Sequence, residues 1–399
     1  MRRLLPLVLS VLCFFLVAAA CGRGPETSPP AATEAAPSWP TRGWVTSTPE
    51  AEGLDPAALT AFHDEFAAGT HGYIDSMLVI RHGKLAFERS YTHDYKALFD
   101  TQPDQTRGPY NYYDPDWHPY RDGDLHTMQS VSKSVTSALV GIAIGHGRIP
   151  GVQAKMAPYF GDFQVKGDRA RWDAMTLEQV LTMTTGIQWD ESTVAYTDPR
   201  NSCAGMEKSD DWIQFVLDQP MAADPGSTFV YNSGATELLS YLIEKTTGRE
   251  AHEYAREHLF APLGIDRFYW KTTPKGLADT EGGLYLTPRD LAKFAYLYLR
   301  DGVWEGRRIL PEGWVAASTR PLVDTGINKP KNRKYGYQWW LLPHGDGRYA
   351  YVANGYGGQY AIVVPEHDLI AVFTGWNIYD KPALSPQLAL ERVLAAVRP

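Results

Sequence analysis

The sequence predicts an α+β fold: an antiparallel sheet made by both chain ends, flanked by terminal helices, with an inserted all-helical domain. Three features carry this expectation. Strand-type runs stand near the front, at Ser76–Arg81 and Lys84–Tyr91, and return near the end, at Tyr335–Leu342, Arg348–Ala353, Gln359–Val364 and Asp368–Thr374. The stretch between them is mainly helical in pattern. Apolar-periodic runs at 55–67 and 386–397 supply a helix at each end.

In chain order, Met1-Arg2-Arg3 is a short positive start and Leu4–Ala20 is apolar apart from Ser10. Residues 1–20 therefore read as a secretory signal, too short for a permanent spanning helix. The sequence Ala18-Ala19-Ala20-Cys21 resembles the bacterial lipoprotein signal. That resemblance implies lipidation at Cys21 and an exported, membrane-anchored protein; an ordinary cleaved signal would give a secreted one. Residues 21–45 are rich in Pro, Ala, Thr and Ser and read as a tether. The sheet part is expected from 46–127 and 280–399, and the mainly helical part from 128–279.

Within the body, Asp55 followed by Pro56 marks a helix start, with Leu59, Phe62 and Phe66 on one face. His82-Gly83 joins two strands as a hairpin. Residues 98–124 read as a long loop, Ser130–His146 as a helix, and Tyr231–Thr247 as a helix ended by Gly248. Pro288–Arg300 is a further helix.

Composition narrows the function classes. The 399 residues are 44% hydrophobic and 21% charged, which excludes wholesale disorder and fibrous architecture. The formal net charge of −8 gives no general attraction for phosphate backbones, so a nucleic-acid partner is not expected. With only Cys13, Cys21 and Cys203, a disulfide scaffold is excluded, and Cys203 has no evident role. His252-Glu253-Tyr254-Ala255-Arg256 starts like a zincin motif but has arginine in place of the second histidine, so no metal site is expected. No Gly-x-Ser-x-Gly elbow and no phosphate-cradling glycine fingerprint occur, and no cofactor is expected.

Three segments carry candidate chemistry. Ser130-Val131-Ser132-Lys133 is the single Ser-x-x-Lys of the chain. On a helix the first and fourth residues share a face, so an amine can take the serine proton. The helix N-terminus adds free N–H groups and the positive dipole end, suited to an oxyanion. The alternative is a serine that only caps its helix. Tyr231-Asn232-Ser233 follows a Pro-Gly turn; Tyr231 is a candidate proton carrier, and Ser233 can donate to Lys133 or to substrate. Asn354-Gly355-Tyr356-Gly357-Gly358-Gln359 precedes a strand, where glycines permit close approach of a ligand and a free N–H. Aromatic residues Tyr110, Tyr112, Tyr113, Trp117, Trp189 and Tyr196 fall in loops and can wall a cleft, with 189–211 covering it.

Together, in this order, the three segments resemble the serine hydrolases related to class C β-lactamases and penicillin-binding proteins. Met183-Thr184-Thr185-Gly186, Gly282-Gly283-Leu284-Tyr285 and Arg308-Ile309-Leu310-Pro311 are similar to that family too, and the likeness spans about residues 45–397. It implies Ser130 as the acyl-accepting nucleophile, Lys133 as its activating amine and Tyr231 as proton shuttle to the leaving group. It also implies an oxyanion hole from the N–H of Ser130 and of a residue near Gly358 or Gln359. Whether Lys133 or Tyr231 is the acylation base stays open. Two departures matter. Ser233 stands where class C β-lactamases have asparagine, and Tyr356 stands where they have the lysine of Lys-Thr-Gly. A tyrosine offers no charge to a substrate carboxylate. The pattern therefore resembles the carboxylesterase and 6-aminohexanoate-dimer hydrolase branch. The expected partner is a small ester, amide or peptide-like substrate, with the membrane reached only through the lipid anchor. The alternatives are a β-lactamase or DD-peptidase, and a surface-tethered binding protein without turnover.

Overall fold

The computed structural model describes residues 39–102, 112–327, 330–345, 347–379 and 383–398. Cys13, Cys21, Tyr110 and the whole signal segment lie outside the described residues. Among the described residues eight strands form one antiparallel sheet: β1 (Ile74–Arg81), β2 (Lys84–Ser90), β3 (Val323–Asp324), β4 (Lys334–Tyr335), β5 (Trp340–His344), β6 (Arg348–Gly355), β7 (Gln359–Val364) and β8 (Leu369–Gly375). The spatial order is β2-β1-β8-β7-β6-β5-β4-β3. The front of the chain thus pairs with its end, with Val79 opposite Ala371 and Ile80 opposite Ile370.

Both faces of the sheet are covered, so alternate residues of one strand enter different cores. Met77 and Val79 join one core, Leu78 and Ile80 the other. The first is closed by α1 (Pro56–Ala67) and by the C-terminal helix Pro386–Ala395. Phe62 and Phe66 of α1 meet Phe373 of β8 with ring centroids 6.0 and 6.1 Å apart. Asp55 caps α1 by accepting the Ala57 N–H, with Pro56 at the first helical position.

The opposite face packs on α2 (Val131–Gly145) and on the helix Pro288–Leu299. Every residue of α2 from Val131 to Ala143 is buried, so this helix has no solvent face and runs through the middle of the molecule. The ring of Trp314 lies over Gly141, where a Cβ would fall 2.5 Å from it. On the far side α2 packs against α3 (Ser233–Thr247) and Ala251–Ala255, and the shorter helices between 177 and 217 pack on α3.

The structure departs from the sequence reading in four places. The helix expected from Tyr231 begins at Ser233, because Asn232 caps it by accepting the Ala235 N–H. Tyr335–Leu342 is not one strand: β4 ends at Tyr335 and β5 starts at Trp340. Between them Gly336 presses on the Ser318 carbonyl, where a Cβ would sit 2.0 Å away, and Gln338 turns the chain with φ of 62°. A small second sheet joins Tyr120–Arg121, Leu125–Thr127, Leu284–Leu286 and Tyr269–Trp270. Strands of two or three residues are too short to show a period in sequence. Finally, Trp39, Pro40 and Trp44 of the expected tether are packed. Trp39 meets Trp304 at 5.3 Å and Trp44 meets Tyr296 at 5.6 Å.

Candidate active site

The strand Leu125–Thr127 feeds through Met128 and Gln129 into α2, and this turn aims Ser130. Gln129 has φ of 47°, a region that bulky residues seldom occupy, and its amide donates to Thr127 Oγ1 at 3.0 Å. The strand itself is anchored by His126, whose Nε2 lies 2.9 Å from the buried Asp75 carboxylate, which also accepts from Tyr95. Ser130 is the N-cap of α2, yet its side chain makes no capping bond. Its oxygen is instead 2.9 Å from Lys133 Nζ, one turn along.

Lys133 is 1% exposed. Besides Ser130, its ammonium donates to the Glu281 carbonyl at 2.7 Å and to Glu281 Oε2 at 3.0 Å. Burial works to strip its proton, but Tyr231, Glu281 and Glu191 outweigh burial and hold Lys133 well above the usual lysine range. Tyr231 arrives from the segment ahead of α3. It stands beside Ser130, stacks on Trp340 at 5.5 Å, and presents its ring 5.3 Å from Lys133 Nζ. Burial raises the Tyr231 phenol, and Lys133 offsets part of that rise. The structure therefore brings Ser130, Lys133 and Tyr231 together.

Ser233 takes a different part from the one expected. It does not donate to Lys133: its hydroxyl donates to Glu191 Oε1 at 2.8 Å, and its N–H to Glu191 Oε2 at 2.9 Å. A hydroxyl has one proton, so this contact leaves none for substrate. Glu191, 4% exposed, also accepts from Trp189 Nε1 at 2.6 Å. Burial lifts its carboxyl above the ordinary range, with Lys133 opposing.

The third segment forms the turn between β6 and β7. Gly355 passes so close to Met128 that a Cβ would lie 2.3 Å from its carbonyl, which brings the turn beside the loop ahead of Ser130. Gly357 and Gly358 have φ of 85° and 110°, so both occupy the glycine-favouring half of backbone space. The Gln359 side chain is not free for a ligand. Its amide donates to Tyr356 O at 2.9 Å and Gly375 O at 2.5 Å, and its carbonyl accepts the Gly375 N–H. It ties the turn to β8, which leaves the backbone as the part able to face an oxyanion. Tyr356 is 41% exposed and touches Tyr196 of the 189–211 segment at 5.6 Å.

A cavity of about 480 Å³ opens beside Tyr231, walled by Trp189, Phe229, Ile327 and Trp340 with Asp190 and Glu191. The other loop aromatics serve elsewhere. Trp117 lies 4.0 Å over the Lys271 ammonium, and Tyr112 and Tyr113 pack on Phe99.

Sequence reasoning missed Glu281 and Glu191. The available signal was a glutamate in Thr280-Glu281-Gly282-Gly283, between apolar runs, and another beside Trp189. Cys203 Sγ lies 3.7 Å from Glu281 Oε1, and Glu207 completes a trio whose ligand-type atoms fall within 4.8 Å. The ammonium of Lys133 already occupies Glu281 and repels a second cation, so the trio is not assigned as a metal site.

A buried helix that presents a serine at its N-terminus, beside the antiparallel sheet, is the arrangement of the serine hydrolases built on this fold. The chain belongs to the Beta-lactamase family, which matches residues 66–375. It is 28% identical over 274 residues to the 6-aminohexanoate-dimer hydrolase of Paenarthrobacter ureafaciens, covering 63% of this chain and 67% of that one. Two solved structures share the fold. The octameric penicillin-binding protein homologue from Pyrococcus abyssi superposes with a TM-score of 0.61 at 19% identity, over 85% of this chain and 77% of that one. A family VIII carboxylesterase does so with 0.63 at 15% identity, over 88% and 98%. Among the described residues no helix is long and apolar enough to cross a membrane.

Proposed function

We propose that the protein is an exported serine hydrolase that cleaves an ester or amide through an acyl-enzyme on Ser130. The observation that carries this reading is the 2.9 Å contact between Ser130 Oγ and the buried Lys133 Nζ, with the Tyr231 ring 5.3 Å from the same ammonium. In that arrangement Ser130 attacks the carbonyl carbon as its proton leaves toward Lys133. The oxyanion meets the N–H of Ser130 and that of a residue near Gly358 or Gln359. Tyr231 delivers a proton to the leaving group, and water then releases the acyl group by the reverse proton path.

Tyr356 in the third segment supports esters and neutral amides over substrates that present a carboxylate. Short acyl esters are expected to turn over at least tenfold faster, by kcat/KM, than a chromogenic cephalosporin. The reverse order would favour the β-lactamase or DD-peptidase reading, which the family relation also supports. Export is supported by the apolar segment ending at Cys21. Cys21→Ala is expected to move the protein from the membrane to the soluble fraction and to abolish incorporation of a fatty-acid label. Unchanged membrane partition and labelling would reject lipidation.

A further inference from the structure

We propose that Glu281 is a positioning residue of this centre: it holds Lys133 against Ser130 and takes up the proton that Lys133 must shed, so that the two side chains act as one unit with a single mobile proton. This rests on the reading of Ser130 as the acyl-accepting nucleophile.

Glu281 supplies two of the three polar groups around Lys133 Nζ, the carbonyl at 2.7 Å and Oε2 at 3.0 Å. It is itself fixed. Its N–H donates to Glu237 Oε1 on α3 at 2.7 Å, and the following Gly282 N–H donates to Asp279 Oδ1 at 2.9 Å. Among the described residues the other buried cation facing this cluster, Lys271, is engaged by Asp279 at 3.3 Å. The remaining titratable groups around Glu281 and Lys133 are Cys203 and Glu207 on one helix, Tyr231, Tyr335 and Glu191. Burial raises Cys203, Glu207, Tyr231 and Glu191, so each favours its neutral form. Glu281 alone among these acids is lowered: burial pushes it up, but the Lys133 charge and hydrogen bond prevail.

The consequence is chemical. An ammonium has no lone pair and cannot accept the Ser130 proton. With Glu281 in contact, Lys133 passes one N–H proton to Oε2 as it receives the proton of Ser130. The Ser130 Oγ–carbon bond forms, and the carbonyl electrons move to its oxygen. The pair goes from ammonium and carboxylate to ammonium and carboxylic acid, and the displaced charge sits on the oxyanion. When the intermediate collapses, the carbonyl reforms and the leaving group takes its proton from Tyr231. Tyr231 regains a proton from Lys133, and Glu281 returns its proton to Lys133. Glu191 cannot replace Glu281 in this role, since its oxygens are held by Ser233 and Trp189.

The test is the pH dependence of kcat/KM for an activated acyl ester between pH 5.5 and 9, in wild type, Glu281→Gln and Glu281→Asp. Rates are normalised to the fraction labelled by a fluorophosphonate and accompanied by thermal melts. Wild type is expected to be level across this range, because the pair needs no proton removed by solvent. Glu281→Gln is expected to fall about 10²-fold at pH 7 and to climb with pH, since Lys133 must then lose its proton to water. Glu281→Asp should recover part of the rate with a level profile. A Glu281→Gln profile shaped like wild type, however low, would assign Glu281 a structural role only and overturn the proposal. So would a wild-type profile that itself climbs through neutral and alkaline pH, a result that needs no folded variant. Failure of wild type to label or turn over any ester would instead overturn the hydrolase reading beneath it.

Discussion

Ser130→Ala is expected to abolish fluorophosphonate labelling and to lower ester turnover by about 10⁴-fold or more, with a stability loss of only about 1 kcal/mol. The contrast between the two readouts is what makes the substitution informative. A serine that merely caps its helix costs about 0.5–2 kcal/mol when replaced by alanine and leaves chemistry untouched. Ser130 makes no capping bond, so the stability loss should be limited to its contact with Lys133, about 1 kcal/mol. Lys133 keeps both acceptors on Glu281, so its charge stays compensated in the variant. The checks are gel-based labelling with the fluorophosphonate, ester kinetics and a denaturant melt on the same preparation. Retained labelling in Ser130→Ala would place the nucleophile elsewhere. Absent labelling of folded wild type would leave a binding protein that has lost turnover.

What the sequence disclosed follows the range over which each feature acts. The longer strands of the main sheet alternate or run apolar over six to eight residues, as in β1 and β7, and that period is written locally. Ser130 and Lys133 are legible for the same reason, since three positions on one helix bring them to one face. Tyr231 has no such local warrant. Its place beside Ser130 depends on α3 packing on α2, which the Pro-Gly turn ahead of it does not encode. Glu281 lies 148 positions from Lys133, and Glu191 lies 42 from Ser233. A buried glutamate looks in sequence like any surface glutamate, because burial is a property of the chain that folds over it. The same limit explains Ser233. A hydroxyl three places into a motif says nothing about which acceptor claims its proton until Glu191 is in position. Gln359 reversed in meaning likewise: its position beside the site was readable, but its side chain proved to be a tie to Gly375.

The pairing of Lys133 with Glu281 also sets the largest expected stability effect. Lys133→Met should remove turnover and cost about 3–5 kcal/mol, because it strands the Glu281 carboxylate in a buried site without its counter-charge. The sign of the pH dependence follows. In wild type Glu281 is held below its ordinary range, so its contribution is present above the unfolded carboxylate pKa and is lost as pH falls through the lowered folded value. Without Lys133, burial acts on Glu281 against only the smaller pull of Lys271 and the Ser233 hydroxyl, and favours the protonated acid. The deficit of Lys133→Met should therefore be greatest at alkaline pH and shrink as pH drops and Glu281 takes a proton. Adding Glu281→Gln removes the stranded charge. The double variant Lys133→Met/Glu281→Gln should regain most of the lost stability while remaining inactive. Urea melts of the four proteins at pH 6 and pH 9 complete the cycle. A double variant no more stable than Lys133→Met would mean that lost packing around the lysine stem, rather than the unpaired carboxylate, dominates the cost. Recovery of stability without recovery of turnover would separate the two demands on this pair: any neutral, well-packed side chains can fill the space beneath Ser130, but only an amine with an acid behind it can move the proton.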